Sequence, residues 1–177
     1  MKALNILLLI AVIGGMGYYF YRKLPKFNEE EKAPDFVSQT PTGEDIRLSD
    51  LRGNIILLDF WGSWCGPCRQ ENRQLVLLYN KYKDAQFGNA DGFIVFNVGL
   101  ERDKKRWLAA IEKDGLDWKY HVSGLKRMRD PVANLYGVNE IPTKYLIDEK
   151  GIIRGVNMSF EEIDVYLGKR KKIIYPK

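Results

Sequence analysis

Cysteine and histidine are scarce in this chain of 177 residues, which contains two cysteines and one histidine. Cys65 and Cys68 are three positions apart, so the chain lacks the wide cysteine framework that staples small secreted proteins. A zinc site needs four ligands, which this pair and the distant His121 do not supply, and we predict no metal. A c-type haem needs histidine after the second cysteine, where Arg69 stands.

The sequence also lacks internal repeats and low-complexity tracts. Apolar residues make up 45% and charged residues 29%, as in ordinary globular proteins, and the length fits one compact domain with an appendage. The formal net charge is +5, with much of the excess near the two ends of the chain. Basic ends suit lipid headgroups or nucleic acid, but a solvated, cation-rich helix end is the favoured explanation, and we predict no nucleic-acid partner.

One long apolar run is present, over residues 4–21. Its 18 residues would span about 27 Å as a helix, close to the roughly 30 Å of a bilayer core. Aromatic residues at positions 18–21 suit the membrane–water interface. The run therefore predicts a membrane anchor over residues 1–21. A cleaved signal peptide is the alternative, although the small residues at 15–17 do not form an Ala-x-Ala site.

Residues 22–32 are charged and are predicted to form a linker. Lysine and arginine are more frequent in this segment than before the apolar run. The positive-inside rule would therefore leave the following domain in the cytoplasm.

From residue 33 onward, strand and helix patterns alternate. Strands are predicted at 55–60, 92–99, 143–147 and 152–156, and helices from Cys65, at 103–113, at 131–136 and after Ser159. A Pro-Thr-Gly turn at 41–43 predicts a hairpin, and Ser159 with Glu162 predicts a capping box. The order predicts an α/β domain over residues 33–177, with a mixed central β-sheet, helices on both faces and an N-terminal β-hairpin extension.

The Cys65–Cys68 pair lies where a helix is predicted to begin. Thiols at positions i and i+3 share one side of a first turn, and the helix dipole there favours a thiolate, the reactive form. Pro67 suits the first turn because its missing N–H is not needed. We expect Cys65 to be exposed and to attack, and Cys68 to be buried and to resolve the mixed disulfide. A structural disulfide is the alternative, but so small a ring removes only about 2 kcal/mol of chain entropy.

Asp59 interrupts an otherwise apolar predicted strand, six positions before Cys65. Burial disfavours a charged carboxylate and should raise the pKa of Asp59. Such a group near Cys68 would take its proton and return it. The alternative is an aspartate at a strand end that binds backbone groups.

The active-site stretch at 58–68 closely resembles that of thioredoxins. The wider pattern includes Ala-Pro-Asp-Phe at 33–36 and Ile-Pro-Thr at 141–143. It is similar to the membrane-tethered, extracytoplasmic thioredoxin-like reductases of bacteria, of the TlpA/ResA type, over about residues 33–167. The resemblance implies a thioredoxin fold and a bacterial inner-membrane protein whose domain faces the periplasm, against the charge rule.

The resemblance also assigns site residues. It implies that Pro142 is cis and faces the cysteines, that Ile141 offers its backbone to an extended substrate, and that Trp64 and Pro142 border the docking groove. The loop residues Gly66 and Pro67 complete the predicted substrate-binding set. Asp59 departs from the tethered branch and matches cytoplasmic thioredoxin instead. We expect Glu71 to have only a surface role and His121 a structural one.

The function that the resemblance implies is reduction of protein disulfides by the Cys65/Cys68 dithiol, with no cofactor besides this pair. The implied partners are protein thiols and disulfides and a membrane thiol-reductant carrier, with a role in cytochrome c maturation and a monomeric state. Two alternatives stay open. One is a thiol peroxidase, although the Pro-x-x-x-Thr/Ser pattern is absent before Cys65. The other is a non-enzymatic tethered module that docks partners.

Overall fold

The computed structural model describes residues 2–23 and 26–172, with side chains within residues 5–19 and 26–172. Helix α1 (Lys2–Lys23) covers residues 2–21 of the predicted anchor, and the large apolar side chains described within residues 5–19 are exposed. Among the described residues, no helix combines the length and the apolar character that crossing a membrane requires. The anchor over residues 1–21 stays a prediction. Parts of the predicted linker 22–32 and of the predicted domain 33–177 lie outside the described residues.

A mixed sheet forms the centre of the domain. Within residues 26–172 its strands are β3 (Ile55–Trp61), β4 (Phe93–Gly99), β5 (Tyr120–Val122), β6 (Thr143–Ile147) and β7 (Ile153–Val156), in the order β5-β4-β3-β6-β7. Strand β4 runs parallel to both β3 and β5, whereas β6 is antiparallel to both β3 and β7. Every residue of the central β3 is buried, in keeping with a sequence that is apolar except for Asp59. The predicted mixed sheet is confirmed.

Helices cover both faces of this sheet. The α-helices of residues 26–172 are α2 (Gly66–Tyr82), α3 (Lys104–Asp114), α4 (Pro131–Tyr136) and α5 (Phe160–Arg170). Side chains that accept hydrogen bonds from backbone N–H groups cap α3 and α4, namely Asp103 and Asp130. The capping box predicted at Ser159 is present at the start of α5.

Alternation along β3 decides which residues approach the helix that carries the cysteines. Leu58 and Phe60 belong to the apolar cluster that includes α4. Leu57 and Trp61 belong to the opposite cluster, which contains Cys68 and residues of α2, α3 and α5. Because successive side chains of a strand point to opposite faces, Asp59 lies on the α2 side of the sheet.

A hairpin precedes the sheet, as predicted. Strands β1 (Val37–Gln39) and β2 (Asp45–Arg47) pair antiparallel, with Ser38 opposite Ile46. Phe36 and Ile46 pack in the cluster on the α4 face, so the hairpin extends the core on that side.

Part of the segment predicted as a linker lies against the domain. The N–H of Glu30 donates to the carbonyl of Ile153 at 2.9 Å, and the N–H of Ile153 donates to the carbonyl of Glu31 at 2.8 Å. The N–H of Ala33 donates to the carbonyl of Gly151 at 2.9 Å. Residues 30–33 thus run beside the β7 hairpin in the manner of an added strand.

Candidate active site

The two cysteines form a disulfide at the start of α2. Their Sγ atoms are 2.09 Å apart, and the Cα atoms are 5.3 Å apart. Cys65 is the N-cap residue, in extended backbone conformation, and its Sγ accepts a hydrogen bond from the N–H of Cys68 at 3.2 Å. Pro67 lies in the first turn, as predicted. The helix start therefore directs free N–H groups and its positive dipole end towards Cys65.

Burial of the pair differs from the prediction. Cys68 is 1% exposed, as expected, but Cys65 is also buried, at 6%. The prediction that Cys65 is exposed is therefore wrong for the disulfide form, since the carbonyl oxygen of Ile141 lies 3.9 Å from its Sγ. The cysteines still differ, because among the described residues Cys65 lines the neighbouring groove and Cys68 does not.

The groove beside Cys65 has a volume of about 470 Å³. The residues that line it are Trp64, Cys65, Gly66, Pro67, Met128, Asn139, Glu140 and Ile141. The structure thus brings together most of the predicted substrate-binding residues. Pro142 is the exception, since it follows Ile141 without lining the groove; its peptide bond with Ile141 is cis, as the resemblance implied.

Trp64 forms a partly exposed wall of this groove. Its indole Nε1–H donates to the carbonyl of Leu100 at 2.8 Å, and the guanidinium carbon of Arg127 lies 4.2 Å from its ring centroid. A β-carbon on Gly62 would lie 2.7 Å from Nε1 of Trp64, so glycine is required for this close approach. The ring is therefore held by one hydrogen bond and one cation–π contact.

Asp59 is buried on the α2 side of β3, at 5% exposure. Desolvation raises the pKa of Asp59 from 3.8 to about 7. The positive charge of Lys144 and a hydrogen bond from Nδ2 of Asn97, at 2.6 Å, act in the opposite direction. A carboxyl group with a pKa near neutrality can both accept and return a proton.

Lys144 is a buried cation that the sequence did not reveal. It stands directly opposite Asp59 in the β3–β6 register, and its Nζ lies 2.8 Å from Oε2 of Glu71 on α2. The side chain of Lys144 is 8% exposed and that of Glu71 is 33% exposed. The prediction of a mere surface role for Glu71 is therefore wrong. Asp59, Lys144 and Glu71 form a charged cluster beneath the helix that carries the cysteines, and the negative charge of Glu71 helps to raise the pKa of Asp59.

Glu101 is a further buried carboxylate near the site, and unlike Asp59 the sequence did not reveal it. Its Oε1 accepts the backbone N–H of Ser63, and its Oε2 accepts the Ser63 hydroxyl at 3.0 Å. Burial raises the pKa of Glu101. The available signal was its position just after β4, since parallel strands end at the same edge of a sheet as the loop that follows β3.

Residues 30–156 match the sequence model of the AhpC/TSA family. The chain belongs to the AhpC/TSA family. The thiol-disulfide oxidoreductase ResA of Geobacillus thermodenitrificans is 31% identical over 171 residues, covering 94% of this chain and 92% of its own. The thioredoxin-like protein YneN of Bacillus subtilis is 31% identical over 156 residues, covering 86% of each chain.

Solved structures of similar proteins agree with this assignment. A thiol-disulfide oxidoreductase from Bacteroides fragilis superposes with a TM-score of 0.70 at 28% identity, covering 78% of this chain and 98% of its own. This AhpC/TSA family member is therefore a thiol-disulfide oxidoreductase with a thioredoxin-like fold, as the resemblance implied. The alternative of a non-enzymatic docking module is not supported.

His121 has the structural role predicted for it in this family member. It is buried in β5, where its Nε2 lies 3.1 Å from the carbonyl oxygen of Leu116, and its ring stacks on Trp118. Burial lowers the pKa of His121 to about 4, so the ring is neutral at physiological pH.

Proposed function

We propose that the protein reduces disulfide bonds of other proteins, with Cys65 as the attacking and Cys68 as the resolving thiol. The observation that carries the proposal is the position of the pair. Cys65 caps a helix and lines an open groove, whereas Cys68 lies one turn further into α2, away from the groove. A client sulfur therefore has access to Cys65 first.

The reaction transfers two electrons to the client. The Cys65 thiolate attacks one sulfur of the client disulfide, which forms a mixed disulfide and releases the first client thiolate. Cys68 loses its proton and attacks Sγ of Cys65, which releases the second client thiolate. The products are the Cys65–Cys68 disulfide and a client dithiol, and no group besides the cysteine pair is oxidised.

Asp59 is the proposed acceptor of the Cys68 proton. Its carboxyl group lies on the same face of the sheet as Cys68, and its pKa of about 7 suits proton exchange at neutral pH. Besides desolvation, two charges tune this pKa in opposite directions: the Lys144 cation lowers it and the Glu71 carboxylate raises it.

The cellular setting is proposed from the sequence. The apolar run at 4–21 supports an inner-membrane anchor, and the TlpA/ResA resemblance supports a periplasmic domain that acts as a monomer. A membrane thiol carrier would re-reduce the disulfide, and the clients would include proteins of cytochrome c maturation. A membrane-impermeant thiol reagent should label Cys65 in intact, reduced cells; labelling only after lysis would place the domain in the cytoplasm.

Trapping tests the proposed order of attack. In Cys68→Ala the mixed disulfide on Cys65 cannot be resolved, so covalent adducts should accumulate. Non-reducing gels should detect them, and reduction with dithiothreitol should release them. The matched control is Cys65→Ala, in which the remaining Cys68 does not line the groove. This variant should give about one-tenth as many adducts or fewer. Equal trapping by both variants would contradict the assigned roles.

Thiol peroxidase activity is the competing function, since the matched family model and the Ala-Pro-Asp-Phe sequence leave it open. The disulfide across one helical turn favours exchange between thiols and disulfides. Reduced protein should therefore consume a peptide disulfide faster than hydrogen peroxide at equal concentration. The opposite order would favour the peroxidase.

A further inference from the structure

One wall of the groove carries a short basic segment. The 3₁₀ turn Arg127–Arg129 contributes Met128 to the groove lining, and Lys126 precedes it. We call Lys126, Arg127 and Arg129 the basic rim. None of its members belongs to the Cys65–Cys68 turn, and the exchange chemistry above does not use them.

Arg127 is held in an unusual conformation that directs it over Trp64. Its φ is 54°, a left-handed value that residues with a β-carbon rarely adopt, and its N–H donates to the carbonyl of Glu101 at 2.9 Å. Its guanidinium carbon lies 4.2 Å from the Trp64 ring centroid. The backbone thus fixes one cation directly beside the residue that precedes Cys65.

The charge of the rim is largely unbalanced. In the part of the chain that the structure describes, no member of the basic rim forms an ion pair. Lys126 and Arg129 are exposed. Glu101 offsets part of the charge of Arg127, but its carboxylate is buried and bound to Ser63. Glu140 also lines the groove and has an interaction of its own.

We infer that the basic rim selects client segments that carry aspartate or glutamate within about three residues of the reactive cysteine. The inference rests on the proposed function, since it requires an extended segment joined to Cys65. Such a segment advances about 3.3 Å per residue, so side chains up to three positions away lie within about 10 Å of the sulfur. Met128 and Trp64 line the same groove as Cys65, and Arg127 lies over Trp64, so the rim borders the groove that such a segment would occupy. Opposite charges at this range accelerate encounter and favour the acidic client.

Matched peptides test the inference. Three synthetic peptides of the form Gly-X-X-Cys-X-X-Gly, with glutamate, glutamine or lysine as X, carry the cysteine as a 2-pyridyl mixed disulfide. The reduced full-length protein attacks, releases the neutral 2-thiopyridone and then forms its own disulfide as the peptide thiol leaves. The measured quantity is the ratio of second-order rate constants for the glutamate and lysine peptides. A ratio is insensitive to a general loss of active protein.

We expect a ratio of about ten at low salt, which falls towards one at high salt because ions screen the rim. The charge-reversal variant Arg127→Glu/Arg129→Glu should bring the low-salt ratio to one or below. Lys150→Glu/Lys169→Glu changes the net charge equally at exposed positions. Because Lys150 follows β6 at the end opposite Pro142, this control should keep the wild-type ratio.

A wild-type ratio near one would overturn the inference while leaving the proposed function intact, since all peptides would still react. A ratio that falls equally in both charge-reversal variants would also overturn it, because net charge alone would then explain selectivity. Failure of all three peptides to react with wild-type protein would instead remove the proposed function, and the inference with it. Arg129→Glu alone leaves the Arg127–Trp64 contact in place and should lower the ratio by about a factor of two or more.

Discussion

Asp59 is a buried carboxyl group, and its burial has a cost to stability. It lies in the middle of an apolar strand, where an isoleucine or a leucine would pack without desolvation. Asn97 donates a hydrogen bond to it, and the charges of Lys144 and Glu71 shift its pKa in opposite directions. An ionised carboxylate in that position is unfavourable, so the folded chain prefers the protonated form.

Replacing Asp59 with asparagine should change the pH dependence of stability. The folded pKa of about 7 exceeds the unfolded value of 3.8, so folding binds a proton between these values. The stabilising preference for the protonated form is complete below pH 4 and is lost as pH rises through 7. Wild-type protein therefore loses up to about 4 kcal/mol relative to Asp59→Asn between pH 4 and 8.

Guanidinium unfolding of the oxidised protein at pH 4 and pH 8 measures this difference. Asp50→Asn is the matched control, because Asp50 is exposed on the 3₁₀ turn before β3 and its variant should follow the wild-type pH dependence. Parallel stability curves for wild type and Asp59→Asn would show that Asp59 titrates as an ordinary aspartate.

Lys144→Met should move the pH dependence of catalysis. The substitution removes the cation that lowers the pKa of Asp59 and leaves the Glu71 carboxylate that raises it. The rise in the disulfide-reduction rate that follows ionisation of Asp59 should shift upward by about one pH unit. Rates with a peptide disulfide across pH 5.5 to 9 measure this shift, and Lys150→Met is the control. In an Asp59→Asn background the Lys144→Met shift should vanish; its persistence would assign the pH dependence to another group.

Helix α2 is the element that must stay fixed for Cys65 and Cys68 to keep their positions. Just beyond the cysteines, the guanidinium of Arg69 donates to both carboxylate oxygens of Asp114, the last residue of α3. Nδ2 of Asn72 donates to Oδ2 of Asp114 at 2.7 Å. Asp114 is 12% exposed, so these bonds join the first turns of α2 to α3 in a largely dry setting.

Asp114→Ala should destabilise the protein by about 2–3 kcal/mol, because it leaves Arg69 and the Asn72 amide without their partner. Urea unfolding of the oxidised protein measures the change. Asp117→Asn, at an exposed position in the loop after α3, should change stability by less than about 0.5 kcal/mol. A loss below about 1 kcal/mol for Asp114→Ala would mean that apolar packing alone holds α2 in place.

Across the whole molecule, local patterns predicted more than long-range pairings did. The strand at β3, the helix start at Cys65 and the capping box at Ser159 follow from neighbouring residues, and the structure contains them. Lys144 and Glu101 could not be placed in this way, because their partners are 73 and 38 positions away in sequence. Asp59 was found because a lone carboxylate stands out in an apolar run. Lys144 follows a proline and a threonine, where a lysine is unremarkable.

Residues 26–33 join the N-terminal part of the chain to the domain. This segment adds backbone hydrogen bonds to Gly151 and Ile153, an ion pair between Glu30 and Arg154, and a ring contact of Phe27 with Tyr136 at 5.9 Å. A chain that begins at residue 26 should keep the free energy of unfolding within about 0.5 kcal/mol of the full-length protein. A chain that begins at residue 34 should lose about 2–4 kcal/mol of unfolding free energy. The backbone groups of Gly151 and Ile153 that bond to residues 30–33 become exposed and unpaired in that chain. Both are measured by guanidinium unfolding of the oxidised forms in the same detergent-containing buffer. Equal stability of the two shortened chains would show that residues 26–33 act only as a tether between α1 and the domain.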